Sequence, residues 1–166
     1  TQVNEGPKPS VSAHEKGAEL ERRIERYFQI HGYQTRRDVI LEGRSGGKHE
    51  VDVLAEKSDG VTSISIMVEC KAWDKPVEKD VVSKVNYVLQ DLGLNKAILV
   101  ALGGDRIGAE QAAQELGVEI WTADELEKKL GKVAIAEMEV KEFGKAAIGF
   151  PNFTKEETAR SLVENE

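Results

Sequence analysis

Cysteine is nearly absent from this chain, with one in 166 residues, and histidine occurs only three times. The first scarcity excludes an internal disulfide framework, and the two together leave too few donors for a structural zinc site. A reducing cytoplasm is the compartment such usage implies. Long apolar runs are missing too. The longest, Ala97 to Leu102, falls far short of the roughly 20 residues that a spanning helix needs, so neither a membrane span nor a targeting segment is expected. Aromatics make up only 5% of the residues and nowhere form a closely spaced stacking platform, which argues against recognition of single-stranded RNA. Positive charge is in deficit. A net charge of −7 argues against indiscriminate coating of a polyanion, so a polyanionic partner has to meet a local basic patch.

Hydrophobic residues, at 40%, suffice for one core, and the length suits one domain with an appendage. Residues 1–15, with Gly6-Pro7-Lys8-Pro9-Ser10, read as a flexible arm or linker, 16–131 as the folded domain, and 132–166 as an extension holding a strand and an acidic helix. No internal repeat or low-complexity run is present. Leu20, Ile24, Tyr27 and Phe28 share a helical stripe that Gly32 closes. Strands are expected over Tyr33 to Leu41, Lys48 to Ala55, Ile64 to Lys71, Lys96 to Leu102 and Val118 to Trp121. Helices are expected from Pro76 to Leu92, from Gly108 to Leu116 and from a capping box at Thr122 and Glu125 to Leu130. A hairpin followed by strand-helix alternation predicts an α/β fold with a mixed sheet.

The informative stretch is Val68-Glu69-Cys70-Lys71, read with Glu50-Val51-Asp52-Val53. Alternation along a strand puts Glu69 and Lys71 on one face, Val68 and Cys70 on the other. Ser58-Asp59-Gly60 signals a turn between the two runs, so a hairpin brings Asp52 toward Glu69. Two carboxylates and an ammonium then converge. Because Ile64, Ile66, Met67 and Val68 make the strand apolar on both faces, these charges sit on a covered strand, where they need partners or a metal ion. Glu21 lies at the edge of the first helix's apolar stripe, either as a site residue or paired with a neighbouring Arg. Glu50 shares the face of Asp52, and His49 points the other way, toward packing or solvent. Lys16 to Lys48 carries eight Lys or Arg against five acids. That stretch is the expected phosphate-facing patch. Lys84 and Asn86 fall beside the stripe of the Pro76 helix, and the Gly103 to Gly108 loop reads as a turn with at most a modest anion-binding role.

Gly17-x-x-x-Glu21, Gly32-Tyr33, Val51-Asp52-Val53 and Val68-Glu69-Cys70-Lys71, in this order and spacing, resemble the PD-(D/E)xK nuclease superfamily in its Mrr-type restriction endonuclease branch, with a likeness to archaeal Holliday-junction resolvases. The resemblance runs from Lys16 to about Leu130. It implies a restriction endonuclease-like fold, a mixed central sheet flanked by helices. It also implies that Glu21, Asp52 and Glu69 collect one or two Mg²⁺ ions, with Mn²⁺ as a substitute, while Lys71 assists the attacking water. Val51 stands where the superfamily's name places Pro, and Glu69 where Mrr-type members often carry Gln. A metal-dependent DNA endonuclease is therefore expected. The rivals are a catalytically silent nucleic-acid-binding or scaffold domain and an RNA-directed nuclease. A homodimer is expected as well, because double-strand cleavage calls for two sites, and Val133, Ile135, Met138, Val140, Phe143, Ile148, Phe150 and Phe153 supply apolar surface beyond the family-like core.

Overall fold

The computed structural model describes residues 13–131. The expected strand and helix after 132, and the apolar residues assigned to a dimer surface, lie outside the described residues. The elements run α1 (Ala13–Ile30), β1 (Gln34–Glu42), β2 (Lys48–Ser58), β3 (Ser63–Lys71), α2 (Lys79–Leu92), β4 (Lys96–Ala101), α3 (Ile107–Leu116) and β5 (Glu119–Thr122). A last helix, α4, covers 123–131. The strands form one sheet in the order β1-β2-β3-β4-β5. β1 and β3 are antiparallel to β2, whereas β4 runs parallel to β3 and β5 parallel to β4, so the sheet is mixed as expected.

Both faces of the sheet are covered, because side chains alternate. Met67, Val51, Leu54 and Leu99 meet Val82, Val85 and Leu89 of α2 and the alanines of α3. Val53, Ala55, Val68, Ile98 and Val100 meet Leu20, Ile24 and Phe28 of α1, closed by Trp121 and Leu126. Trp121 stacks on Phe28 with ring centroids 6.1 Å apart. β3 is thus the covered central strand that its two-faced apolar pattern calls for.

The helix expected from Pro76 begins three residues later, at Lys79. Val77 is taken instead by the sheet side, bridging in parallel to Asp105 and donating its N–H to Gly104 O at 3.0 Å, while Arg106 N donates to Val77 O at 3.0 Å. These bonds also occupy the Arg106 N–H of the glycine loop, which the sequence reads as a turn with at most a modest anion-binding role. Gly103 is needed there because a Cβ would stand 2.2 Å from Lys75 O and 2.7 Å from Trp73 O. Backbone cannot yield as a flexible side chain does. Gly103→Ala should therefore lower stability by about 1–3 kcal/mol, read as a lower midpoint in urea, and a midpoint equal to wild type would show that the loop is not packed this tightly.

Candidate active site

Pairing between β2 and β3 ends at Val53↔Val68. Beyond that pair, residues 48–51 of β2 are held by β1, and Glu69 to Lys71 of β3 by β4, so the two strands part as a fork. Asp52 stands in its crotch. Its Oδ2 accepts the N–H of Cys70 at 2.8 Å, a donor that continued pairing would have directed to β2. Across the β1–β2 ladder the partner position is Asp38, which is skipped in the register and is the one non-glycine residue with positive φ, 51°, among the described residues. Side-chain alternation changes phase there. Val53 faces α1 while both Val51 and Leu54 face α2, which lets Asp52 reach groups on either side of the sheet.

On the α2 side, Asp52 lines a cavity of about 570 Å³ with Glu50, Glu69, Lys71, Trp73 and Lys84. Lys71 Nζ is 3.2 Å from Glu69 Oε1. Glu69 lies close enough to feel the Asp52 charge. On the other side, Glu21 from α1, Asp38 and Asp52 each offer a carboxylate oxygen, all within 4.8 Å of one another. The structure brings together the four residues singled out in the sequence, Glu21, Asp52, Glu69 and Lys71, with Asp52 as the shared member.

The electrostatics of this cluster are those of acids crowded out of water. Burial, foremost, raises Asp52 above the ordinary carboxylate range, against the Cys70 N–H and Lys71, which favour its charge. Glu69 is raised by burial and by the Asp52 charge, with Lys71 pulling the other way. Glu21 is pushed up from 4.5 to about 7, first by burial and then by Asp38 and Asp52. Cys70 faces the α1 core, where burial pushes its thiol up. Hard oxygen donors with unmet negative charge, beside a thiol that stays protonated, fit a divalent ion of the magnesium type and not a thiophilic one.

A raised Glu21 has a consequence for stability that can be measured without metal. Between its ordinary 4.5 and about 7 the folded chain binds the Glu21 proton more tightly than the unfolded chain does. Its stabilising contribution is therefore complete below 4.5 and lost as pH rises through 7. In a chelator, wild type should lose more of its melting temperature between pH 5 and pH 8 than Glu21→Gln does, and equal losses would contradict the assignment.

Three neighbours were not recognised in the sequence as part of this site. Asp38 reads there as one acid in a basic strand. Trp73 follows β3 in a loop, half-exposed on the cavity wall. His49, expected to face away, lines the same cavity, because the phase change at Asp52 and the carboxylate of Asp91 draw it in, Nε2 to Oδ2 at 2.7 Å. Asp91 also accepts from Ser45 N at 2.8 Å and Ser45 Oγ at 2.7 Å, pinning the β1–β2 turn to α2. Within the basic stretch of Lys16 to Lys48, several arginines have acidic partners. Arg22 and Arg23 pair with Glu19, Arg36 with Glu56 and Arg37 with Glu25. Of that stretch, Lys48 lines the cavity, joined by His49, Lys71 and Lys84 from later in the chain.

A forked mixed sheet with Glu, Asp and Glu-x-Lys at the fork defines a restriction endonuclease-like domain. The family model for the Mrr catalytic domain, described as a restriction endonuclease, matches residues 13–130, and the chain belongs to that family. No curated protein matches in sequence. Among solved structures, the chain is similar to AF1548, a protein of unknown function, with a TM-score of 0.55, 15% identity, and coverage of 89% of this chain and 99% of that one. It is also similar to the MspJI restriction endonuclease in complex with a 27-mer oligonucleotide, at a TM-score of 0.45 and 16% identity, over 73% of this chain and 28% of that one. With the DNA modification-dependent restriction endonuclease AspBHI the TM-score is 0.39 at 13% identity, over 96% and 44% of the two chains. The chain thus spans less than half of either restriction enzyme. Among the described residues no helix is long and apolar enough to cross a membrane.

Proposed function

We propose that this chain is a Mg²⁺-dependent DNA endonuclease that hydrolyses phosphodiester bonds at the β2–β3 fork. The observation that carries this reading is the convergence of Asp52, Glu69 and Lys71 in one cavity, with Glu21 closing on Asp52 from the opposite layer. Asp52 and Glu69 would hold the ion, with Glu21 completing its shell or holding a second, and Asp38 is placed to join Glu21. A bound divalent ion supplies Lewis acidity at the phosphate and a more acidic attacking water. The chain's own part is positional. The Lys71 ammonium, steered by Glu69, neutralises phosphate charge and orients the attacking water, its positive charge favouring loss of the water's proton to solvent. Lys48 and Lys84 face the same cavity and offset the protein's net charge where a backbone phosphate would lie.

A silent binding domain is the weaker reading, because a lapsed site usually loses one of its charged members. The deciding assay gives the protein plasmid, linear, single-stranded and four-way-junction DNA with Mg²⁺ or Mn²⁺ and with chelator. Cleavage of at least one form, only with metal, is expected. A folded protein that cuts none of them would leave binding alone. We also propose a homodimer, since cutting both strands of a duplex calls for two sites related by a two-fold axis. Light scattering at micromolar concentration should give twice the chain mass, and a monomer would count against it.

A further inference from the structure

We propose that Trp73 is a stacking platform for an unpaired DNA base next to the cleaved bond, so that the site prefers DNA locally out of its stack over perfectly paired duplex. The inference rests on the nuclease reading and adds a substrate class to it. Trp73 is 40% exposed, whereas the chain's other tryptophan, Trp121, is 4% exposed in the core. Leaving an indole in water forgoes the gain of burying it, so an exposed one on a cavity wall is a surface for something else to cover. That wall is shared with Asp52, Glu69 and Lys71.

Two lysines mark the ring's place. Lys71 Nζ lies 4.8 Å and Lys75 Nζ 5.2 Å from the ring centroid. Lys71 is at the same time 3.2 Å from Glu69, so ring and carboxylate flank one ammonium. A phosphate drawn to Lys71 brings its own base within reach of the indole. Lysine heads are flexible and can shift toward phosphate, uncovering the aromatic surface that they approach.

The backbone under the ring is held before any ligand arrives. β3 fixes it at Lys71, and on the other side Val77, 1% exposed, is bonded to Gly104 and Arg106. Between these anchors the segment presses on Gly103 so closely that no Cβ fits. A platform already ordered loses little conformational freedom on binding. The cavity of about 570 Å³ is within the size range of small-ligand sites, large enough for a nucleotide's base and sugar. Bases inside an intact duplex present only their edges to such a cleft, and a ring face becomes available where a base is unpaired, bulged or at a frayed end.

The test uses the full chain in calcium or chelator, with two labelled duplexes identical except for one bulged nucleotide, and with an oligo-dT single strand. The bulged duplex should bind about tenfold tighter than the matched one. Bulge or single strand should quench the emission of Trp73, and the quench should vanish in Trp73→Phe, where only Trp121 emits. Trp73→Ala should weaken bulge binding more than matched-duplex binding, bringing their ratio to about one. Trp73→Phe, which keeps a ring, should retain part of the preference and also covers the case in which the alanine variant does not fold. Equal affinity for the two duplexes in wild type, with no quench, would overturn the proposal while leaving metal-dependent cleavage intact. Equal weakening of both duplexes by Trp73→Ala would overturn it in favour of a ring that merely covers Lys71. A wild-type protein that cleaves no DNA in magnesium would instead remove the nuclease reading beneath it.

Discussion

Asp52→Ala should lower DNA cleavage by on the order of a thousandfold or more and abolish magnesium binding in calorimetry. Asp52 is the one carboxylate common to both halves of the cluster, sharing the cavity with Glu69 on one side and lying within 4.8 Å of Glu21 and Asp38 on the other. No other single substitution removes a donor from both. Asp52→Asn should be nearly as inactive, yet fold at least as well as wild type without metal. Its amide oxygen can still accept the Cys70 N–H, and it removes a charge that burial and Asp38 disfavour. An inactive but undiminished protein is the signature of a residue kept for function at a cost to stability. If Asp52→Asn melts well below wild type in chelator, Asp52 holds the fork together and the interpretation of its inactivity changes.

Lys71→Ala should lose most of the rate, about a hundred- to a thousandfold, while magnesium still binds. Its ammonium touches Glu69 but offers no electron pair to a cation. Removing it takes away the one cation credited with lowering both Asp52 and Glu69, so these carboxylates hold their protons more firmly in the metal-free protein. Magnesium affinity should consequently fall more steeply than in wild type as pH is lowered, and recover as pH rises and protons no longer compete for the carboxylates. Lys71→Arg tests position against charge. It keeps the cation but not its compact head, and should recover only part of the rate. Cleavage by Lys71→Ala at the wild-type rate would remove Lys71 from the chemistry.

The order of elements was legible because its signals are local. The stripe of Leu20, Ile24 and Phe28, the turn at Ser58-Asp59-Gly60 and the apolar run of β3 each report a structure formed within a few residues of themselves. The meeting of Asp52 with Glu69 followed from strand alternation plus a hairpin, and the structure has it. What stayed hidden depends on partners distant in sequence. The fork exists because β1 and β4 hold the two strands apart, and no residue in β2 or β3 announces it. Asp38 turns toward Glu21 through a left-handed backbone, a conformation that Asp tolerates without advertising. His49 is drawn into the cavity by Asp91, 42 residues later. Pro76 marks a helix start by a sound local rule, which the pairing of Val77 with Asp105 outweighs. The acidic partners of Arg36 and Arg37, Glu56 and Glu25, likewise come from other elements of the fold.

The account stands most directly on where a metal ion binds. Crystals of the metal-free protein soaked in Mn²⁺, at a concentration that supports cleavage, should show an anomalous peak between Asp52 and Glu69. Carboxylate oxygens of both should lie about 2.1 Å from it, and the peak should be absent from Asp52→Ala crystals treated alike. No peak at the fork, or one ligated elsewhere and unaffected by the substitution, would contradict the assignment of this site as a metal-dependent nuclease centre.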